Sequence, residues 1–132
     1  MLLTRATEYA LLSLDSISKA DKPIGAEQLA NELSIPKSFL AKILQNMAKQ
    51  GILDSRKGAH GGFVLAQDVN DITINSVIFA AEGKLPAVFD CASYSETCPN
   101  GAIGTCVISP FLANFQTKIN NFLEGLTLGD IL

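Results

Sequence analysis

The sequence predicts a mainly α-helical fold with one small β-hairpin, in which a winged helix-turn-helix domain is followed by a long C-terminal dimerisation helix. Three observations predict this class: two short amphipathic helices separated by a three-residue break, a glycine-rich hairpin directly after them, and a clearly delimited helix near the C-terminus. A chain of 132 residues, 48% of them hydrophobic, is long enough to bury one core. We therefore expect one domain with an appendage.

The N-terminal half contains three predicted helices. Residues 4–19 form the first, with Thr4 as its N-cap and apolar side chains almost all round the cylinder, which predicts burial on two sides. Residues 26–33 show the i, i+3, i+4, i+7 spacing of a short amphipathic helix. After the break "SIP" at 34–36, residues 37–49 form the third helix, whose predicted core side chains are Leu40, Ile43, Leu44 and Met47.

The third helix exposes a basic face. Residues 37–60 carry five basic side chains against Asp54 alone, although the whole chain has a net charge of −3. Salt screens exposed charges beyond about 8–10 Å, so the local field decides what this segment contacts. In a helix-turn-helix the second helix lies in the DNA major groove, and we predict that Lys37, Ser38 and Lys42 face it. An ordinary helical hairpin with a solvated lysine face is the alternative.

A β-hairpin is predicted directly after this helix, with strands at 53–56 and 63–66. A hairpin in this position is a wing, and its glycines let the backbone approach a second surface closely. A narrow minor groove attracts basic side chains, which gives the tip a DNA-contacting role. The wing candidates are Arg56, Lys57, Gly58, His60, Gly61 and Gly62. For His60 a solvated loop position is the alternative.

Two further helices follow. Thr73 caps a predicted helix over 73–82, and Ser109 as N-cap with Pro110 at the first helical position begins another that runs to about residue 124. The apolar side chains of the last helix step by three and four, as in a coiled-coil seam. We predict a dimer interface there, with packing on the chain's own core as the alternative, and a tail over 126–132 that packs back. The interface residues are Leu112, Phe115, Ile119 and Phe122.

All three cysteines, Cys91, Cys98 and Cys106, lie in one loop. The spacing C-x6-C-x7-C fits neither a zinc finger nor a C-x-x-C redox motif. Three thiolates can still converge on an iron–sulfur cluster, with Asp90, Glu96 or a more distant acidic residue as fourth ligand. Thiol redox sensing and incidental cysteines remain open. The loop divides the chain into a DNA-binding domain over 1–83, a sensor loop over 84–107, and a dimerisation helix with tail over 108–132.

Several classes of protein are disfavoured. No run of 18 apolar residues exists and the start lacks the features of a signal peptide, so we expect a cytoplasmic protein without a membrane partner. Without a nucleophile–base pair or a phosphate loop, and with His60 as the single histidine, we do not expect an enzyme. A small iron–sulfur electron-transfer protein would explain the thiolates but would leave the basic helix and the wing without a role.

The whole chain resembles the IscR/NsrR family of bacterial winged-helix transcription regulators, the Rrf-two family. The resemblance rests on "LTRATEYALLSL", "LANELSIPKSFLAKILQNMAKQGIL", "RKGAHGGFVLA" and "TLGDIL". It implies a homodimer with crossed final helices, and a 2Fe-2S or 4Fe-4S cluster on the three cysteines that sets DNA affinity. Some family members have no cluster, and a preparation in air can lack it.

The resemblance also implies roles for single residues. Ser38 and Phe39 match positions where the family's recognition helix meets the groove, and Lys57 matches a wing arginine that enters the minor groove. Glu8 matches an acidic cluster ligand donated by the partner subunit, with a plain surface carboxylate as the alternative. Ala41 replaces a base-reading glutamate of some members, and Ser109 replaces a histidine.

These features together predict a dimeric, sequence-specific regulator that binds double-stranded DNA. Its affinity would be switched at the cysteine loop by redox state, nitric oxide or iron supply. A cluster-free thiol-sensing regulator is the alternative.

Overall fold

The computed structural model describes residues 3–87 and 106–132. Within these ranges the first part of the chain runs α1 (Arg5–Lys19), α2 (Ala26–Leu33), α3 (Lys37–Lys49), β1 (Leu53–Arg56), β2 (Gly62–Leu65) and α4 (Ile74–Glu82). The second part runs α5 (Ser109–Glu124) and α6 (Leu128–Ile131). The predicted order of elements is confirmed, and so is the mainly helical class with one hairpin.

The helix-turn-helix pair follows directly from the apolar spacing. Helices α2 and α3 have the predicted bounds, and α3 buries all four predicted core side chains. Between them Ser34 adopts a left-handed conformation with φ 55°, and its N–H donates to the Ala30 carbonyl. Ile35 N–H donates to the same carbonyl at 3.0 Å, and the Ile35 side chain is buried. This turn satisfies the last carbonyls of α2 and redirects the chain into α3.

The hairpin is antiparallel, with Leu53 opposite Leu65 and Arg56 opposite Gly62. Strand β2 begins at Gly62 and ends at Leu65, so the predicted range 63–66 is wrong by one residue. Gly62 belongs to β2 because it pairs with Arg56, the last residue of β1. A contact distant in sequence also joins this strand: Phe63 N–H donates to the Ile24 carbonyl at 2.8 Å, and Ile24 N–H donates to the Phe63 carbonyl at 3.2 Å. The loop before α2 therefore pairs with β2 and holds the wing against the helices.

The C-terminal tail packs back onto the domain, as predicted. Ile74 N–H donates to the Leu126 carbonyl at 2.9 Å, and Leu128 N–H donates to the Ile72 carbonyl at 2.8 Å. The Leu128 side chain is fully buried. Thr127 and Asp130 form a capping box that begins α6. The end of α5 is thus fixed to the start of α4.

One expectation about helices needs correction. Ile108, with a helical backbone conformation, is the N-cap of α5, so Ser109 is the first helical residue and Pro110 the second. Proline fits there because the first turn leaves its N–H groups unpaired. Helix α1 buries one face within its own chain, including Leu14, while Leu12 is exposed there, so burial of its second side stays a prediction. No helix in residues 3–87 and 106–132 is both long and apolar enough to cross a membrane.

Candidate nucleic-acid interface

The outer face of α3 is the first component of the site. Lys37, Ser38 and Lys42 are exposed, whereas the opposite face of the helix lies in the core. The Lys37 ammonium lies 3.4 Å from a Glu27 carboxylate oxygen of α2, and both side chains are solvent-exposed. Such a surface pair contributes little to stability, so Lys37 is free to exchange Glu27 for a phosphate. The face offers cations and a hydroxyl donor to a groove.

Phe39 combines exposure with a fixed position. Its side chain is 44% exposed, and its ring packs edge-to-face on Tyr9 of α1 with centroids 5.7 Å apart and an interplanar angle of 86°. Aromatic pairs favour this geometry, which contributes about 0.5–1.5 kcal/mol. Tyr9 therefore orients an apolar side chain that the first turn of α3 presents to solvent.

The wing supplies the second set of cations. Arg56, Lys57 and His60 are all exposed, and none has an ion-pair partner in the described part of the chain. Gly58 has φ +104° and open space around the position of a Cβ, so it shapes the tip without packing against anything. Three exposed donors at the end of β1 and on the tip of the hairpin suit contact with the phosphates or the minor groove.

Gly61 and Gly62 serve the wing itself. A Cβ at Gly61 would collide with the Arg56 carbonyl oxygen, and one at Gly62, where φ is +150°, would lie 2.7 Å from the Ile24 oxygen. Both positions require glycine so that the hairpin can close and pair with the loop before α2. Their predicted contact with DNA stays a prediction.

A cation that the sequence reasoning missed lies beside α3. Lys84 lines a cavity of about 310 Å³ together with Lys42, Asn46 and Thr4. Lys84 is a lone charge after the end of α4, and no periodicity or spacing connects it to α3. Only the packing of α4 against α1 and α3 brings these residues together.

The predicted metal ligands are only partly described. Cys106 is half-buried, three positions before α5, whereas Cys91 and Cys98 lie outside the described residues. Glu8 is exposed on α1, and its carboxylate accepts from the Arg5 guanidinium at 2.7 Å. Residues 3–87 and 106–132 contain no group of three His, Cys, Asp or Glu side chains that could hold a metal ion. The donor types, three thiols and one exposed carboxylate, fit an iron–sulfur cluster chemically.

The predicted dimer seam divides into two parts. Leu112 is 5% exposed, and Ile119 packs against the core of its own chain. Phe115 is 37% exposed and Phe122 65% exposed, and the Phe115 ring stacks on Phe111 with centroids 6.0 Å apart. Phe111, Phe115 and Phe122 therefore form an exposed aromatic surface on α5. Such a surface suits association with a second copy, and the dimer interface stays a prediction.

Comparison with known proteins agrees with this architecture. The profile of a family described as Rrf2, an iron-dependent transcriptional regulator, matches residues 3–132. The chain is 29% identical to an HTH-type transcriptional regulator of Aquifex aeolicus, over all of this chain and 92% of that protein. It is 26% identical to the HTH-type transcriptional regulator IscR of Photobacterium profundum, over all of this chain and 76% of that protein.

A solved structure shows the same fold. CymR, the global cysteine regulator of B. subtilis, matches with a TM-score of 0.73 and 19% identity, over 99% of this chain and 95% of that chain. The match confirms the predicted winged helix-turn-helix class and the arrangement of a final helix after it.

Proposed function

This chain belongs to the Rrf2 family of iron-dependent transcriptional regulators, whose profile covers residues 3–132, and from that premise we propose that it is a dimeric, sequence-specific DNA-binding protein whose affinity is switched at its cysteines. The resemblance seen in the sequence is confirmed at the level of the family. Its relatives are transcriptional regulators and not enzymes, in agreement with the absence of catalytic motifs from the sequence. Neither relative supports an electron-transfer role.

The observation that carries the DNA-binding proposal is the pair of uncovered basic surfaces on α3 and on the wing. We assign Lys37, Ser38, Phe39 and Lys42 to the major groove. We assign Arg56, Lys57 and His60, with the backbone of Gly58, Gly61 and Gly62, to the flanking minor groove or its phosphates. A two-fold dimer would place two such units on half-sites about one helical turn apart.

Binding to the DNA upstream of its own coding region tests this proposal. The wild-type protein is expected to shift that duplex at lower concentration than an unrelated duplex, with affinity that falls steeply with salt. Lys57→Ala should weaken binding to both duplexes and flatten the salt dependence, because the wing lysine contacts backbone or groove without reading bases. Lys19→Ala removes an equal charge from the far end of α1 and is the control. Equal affinities for Lys57→Ala and this control would exclude the wing contact.

The switch is proposed to be an iron–sulfur cluster of either 2Fe-2S or 4Fe-4S type. Cys91, Cys98 and Cys106 would ligate it, with Glu8 of the partner subunit as fourth ligand. The family's description as iron-dependent and the IscR relative support this proposal. Bound iron would join the loop of one protomer to α1 of the other, and so set the separation of the two α3 helices. Oxidation, nitric oxide or iron shortage would release that constraint.

Anaerobic purification with measurement of iron, sulfide and visible absorption tests the cluster. Cys98→Ala should abolish the colour and leave the dimer folded, because it changes none of the core side chains of residues 3–87 and 106–132. Glu8→Ala should weaken cluster retention while Asp15→Ala, another carboxylate of α1, should not. A visible absorption band that survives in Cys98→Ala would place the ligands elsewhere.

A cluster-free thiol switch is the second candidate, favoured by the shared fold with a regulator named for cysteine. In that case anaerobic protein is colourless and free of iron, yet binds its operator. Its affinity then changes on thiol oxidation and recovers with a reductant.

A further inference from the structure

Lys84 and Lys42 lie in one open cavity beside the recognition helix. The cavity, about 310 Å³ in volume, lies between α3, the start of α1 and the end of α4. Both lysine side chains are exposed. Neither takes part in an ion pair or side-chain hydrogen bond in residues 3–87 and 106–132. The cavity is therefore lined by two lysines that have no ion-pair partner in the described residues, and Lys42 joins it to the outer face of α3.

Among the described residues that line the cavity Glu82 is the one carboxylate, and it already accepts hydrogen bonds from the protein. A single Glu82 oxygen accepts from the Thr4 backbone N–H at 2.8 Å and from the Thr7 hydroxyl at 2.9 Å. Thr7 is buried, so this oxygen points towards the interior and fastens the start of α1 to the end of α4. With two lysines and one carboxylate, the described lining of the cavity carries a net positive charge.

We propose that Lys42 and Lys84 form a phosphate-binding site that holds the DNA backbone next to the recognition helix. This proposal rests on the DNA-binding function proposed above and extends it to a residue in the segment that the sequence assigns to the sensor loop. Lysine is a compact point charge that suits phosphate oxygens. Because Lys42 belongs to the face assigned to the major groove, a duplex on that face brings its backbone past the cavity. The contact fixes register and carries no base information.

A purely structural role for Lys84 makes a different prediction. A cation just beyond the C-terminus of α4 would interact with the partial negative charge of the helix end. In that case, its removal lowers the thermal midpoint of unfolding and leaves the salt dependence of DNA binding unchanged. Salt dependence therefore separates the two roles.

The test compares Lys84→Gln, Lys84→Arg and the control Lys19→Gln in titrations with specific and unrelated duplexes between about 50 and 200 mM salt. The cavity lies at the start of α1, and Lys19 is the last residue of this helix. At about 1.5 Å per residue the two are about 21 Å apart, which exceeds the distance of about 8–10 Å over which salt screens exposed charges. Lys84→Gln should weaken binding to both duplexes by a similar factor and lower the slope of log affinity against log salt by about 0.9 per bound protomer. Lys84→Arg should retain the wild-type slope.

Two outcomes would overturn this site and leave the proposed function intact: a slope for Lys84→Gln equal to that of Lys19→Gln, or a weakening confined to the specific duplex. Failure of the wild-type protein to bind any duplex would instead remove the proposed function itself.

Discussion

At position 62 a side chain of any kind would collide with the backbone of the loop before α2. Gly62 has φ +150°, and its Cβ would lie 2.7 Å from the Ile24 carbonyl oxygen, at the bridge between β2 and that loop. We expect Gly62→Ala to lower the free energy of unfolding by about 2–3 kcal/mol, because both the backbone conformation and the bridge are lost. Urea denaturation measures this loss.

The matched control is Gly25→Ala, one residue beyond the bridge. Gly25 has φ −79° and no atom within 4 Å of a Cβ, so this change should cost only the preference of the α2 N-cap for glycine over alanine, about 1 kcal/mol. Equal stability of the two variants would show that the hairpin does not need to pair with the loop. The glycines of the wing indicate, from the sequence alone, that another surface approaches the hairpin closely. They do not indicate that this surface is the chain's own backbone.

At the scale of the element, the short tail over 126–132 connects the end of α5 to the start of α4. Leu128 is fully buried, and its N–H bonds the Ile72 carbonyl. Leu128→Ala should cost about 2–5 kcal/mol, the range for a leucine truncated in a core, when measured by chemical denaturation. Ile131→Ala, on an exposed side chain of the same helix, should cost less than 1 kcal/mol. Comparable losses would mean that the tail does not anchor α5.

Local signals were sufficient to predict most elements. The sequence predicts Thr4 and Thr73 as N-caps, and both side chains accept the expected N–H bonds, from Ala6 and Ser76. The two bounds that were wrong are each displaced by one residue. Strand β2 begins early because Gly62 still pairs with Arg56 of β1, and α5 begins early because Ile108 already has a helical backbone conformation.

At the scale of the whole molecule, the sequence could not decide whether an apolar helix face packs on the chain's own core or on a second copy. A step of three and four along α5 is the same for a core and for an interface. The structure divides the four predicted residues, with Leu112 buried in the protomer and Phe122 uncovered. Lys84 is the converse case, since its position beside α3 results from packing and from no motif.

The exposed aromatic residues of α5 allow the proposed dimer to be tested. Phe122 is 65% exposed in the protomer, so Phe122→Glu should leave the fold and the far-ultraviolet circular dichroism unchanged. In an interface the same glutamate would be desolvated without a partner, which costs several kcal/mol and is repeated by symmetry. We therefore expect a monomer in sedimentation velocity, whereas Thr117→Glu, the same charge on an exposed polar position of α5, should remain dimeric.

Loss of the dimer should also weaken DNA binding by more than one contact predicts, because each protomer then binds its half-site independently. If Phe122→Glu sedimented as a dimer like the wild type, the exposed aromatic residues of α5 would not form the interface with a second copy. The spacing between the two recognition helices, on which the proposed cysteine switch depends, would then need another origin.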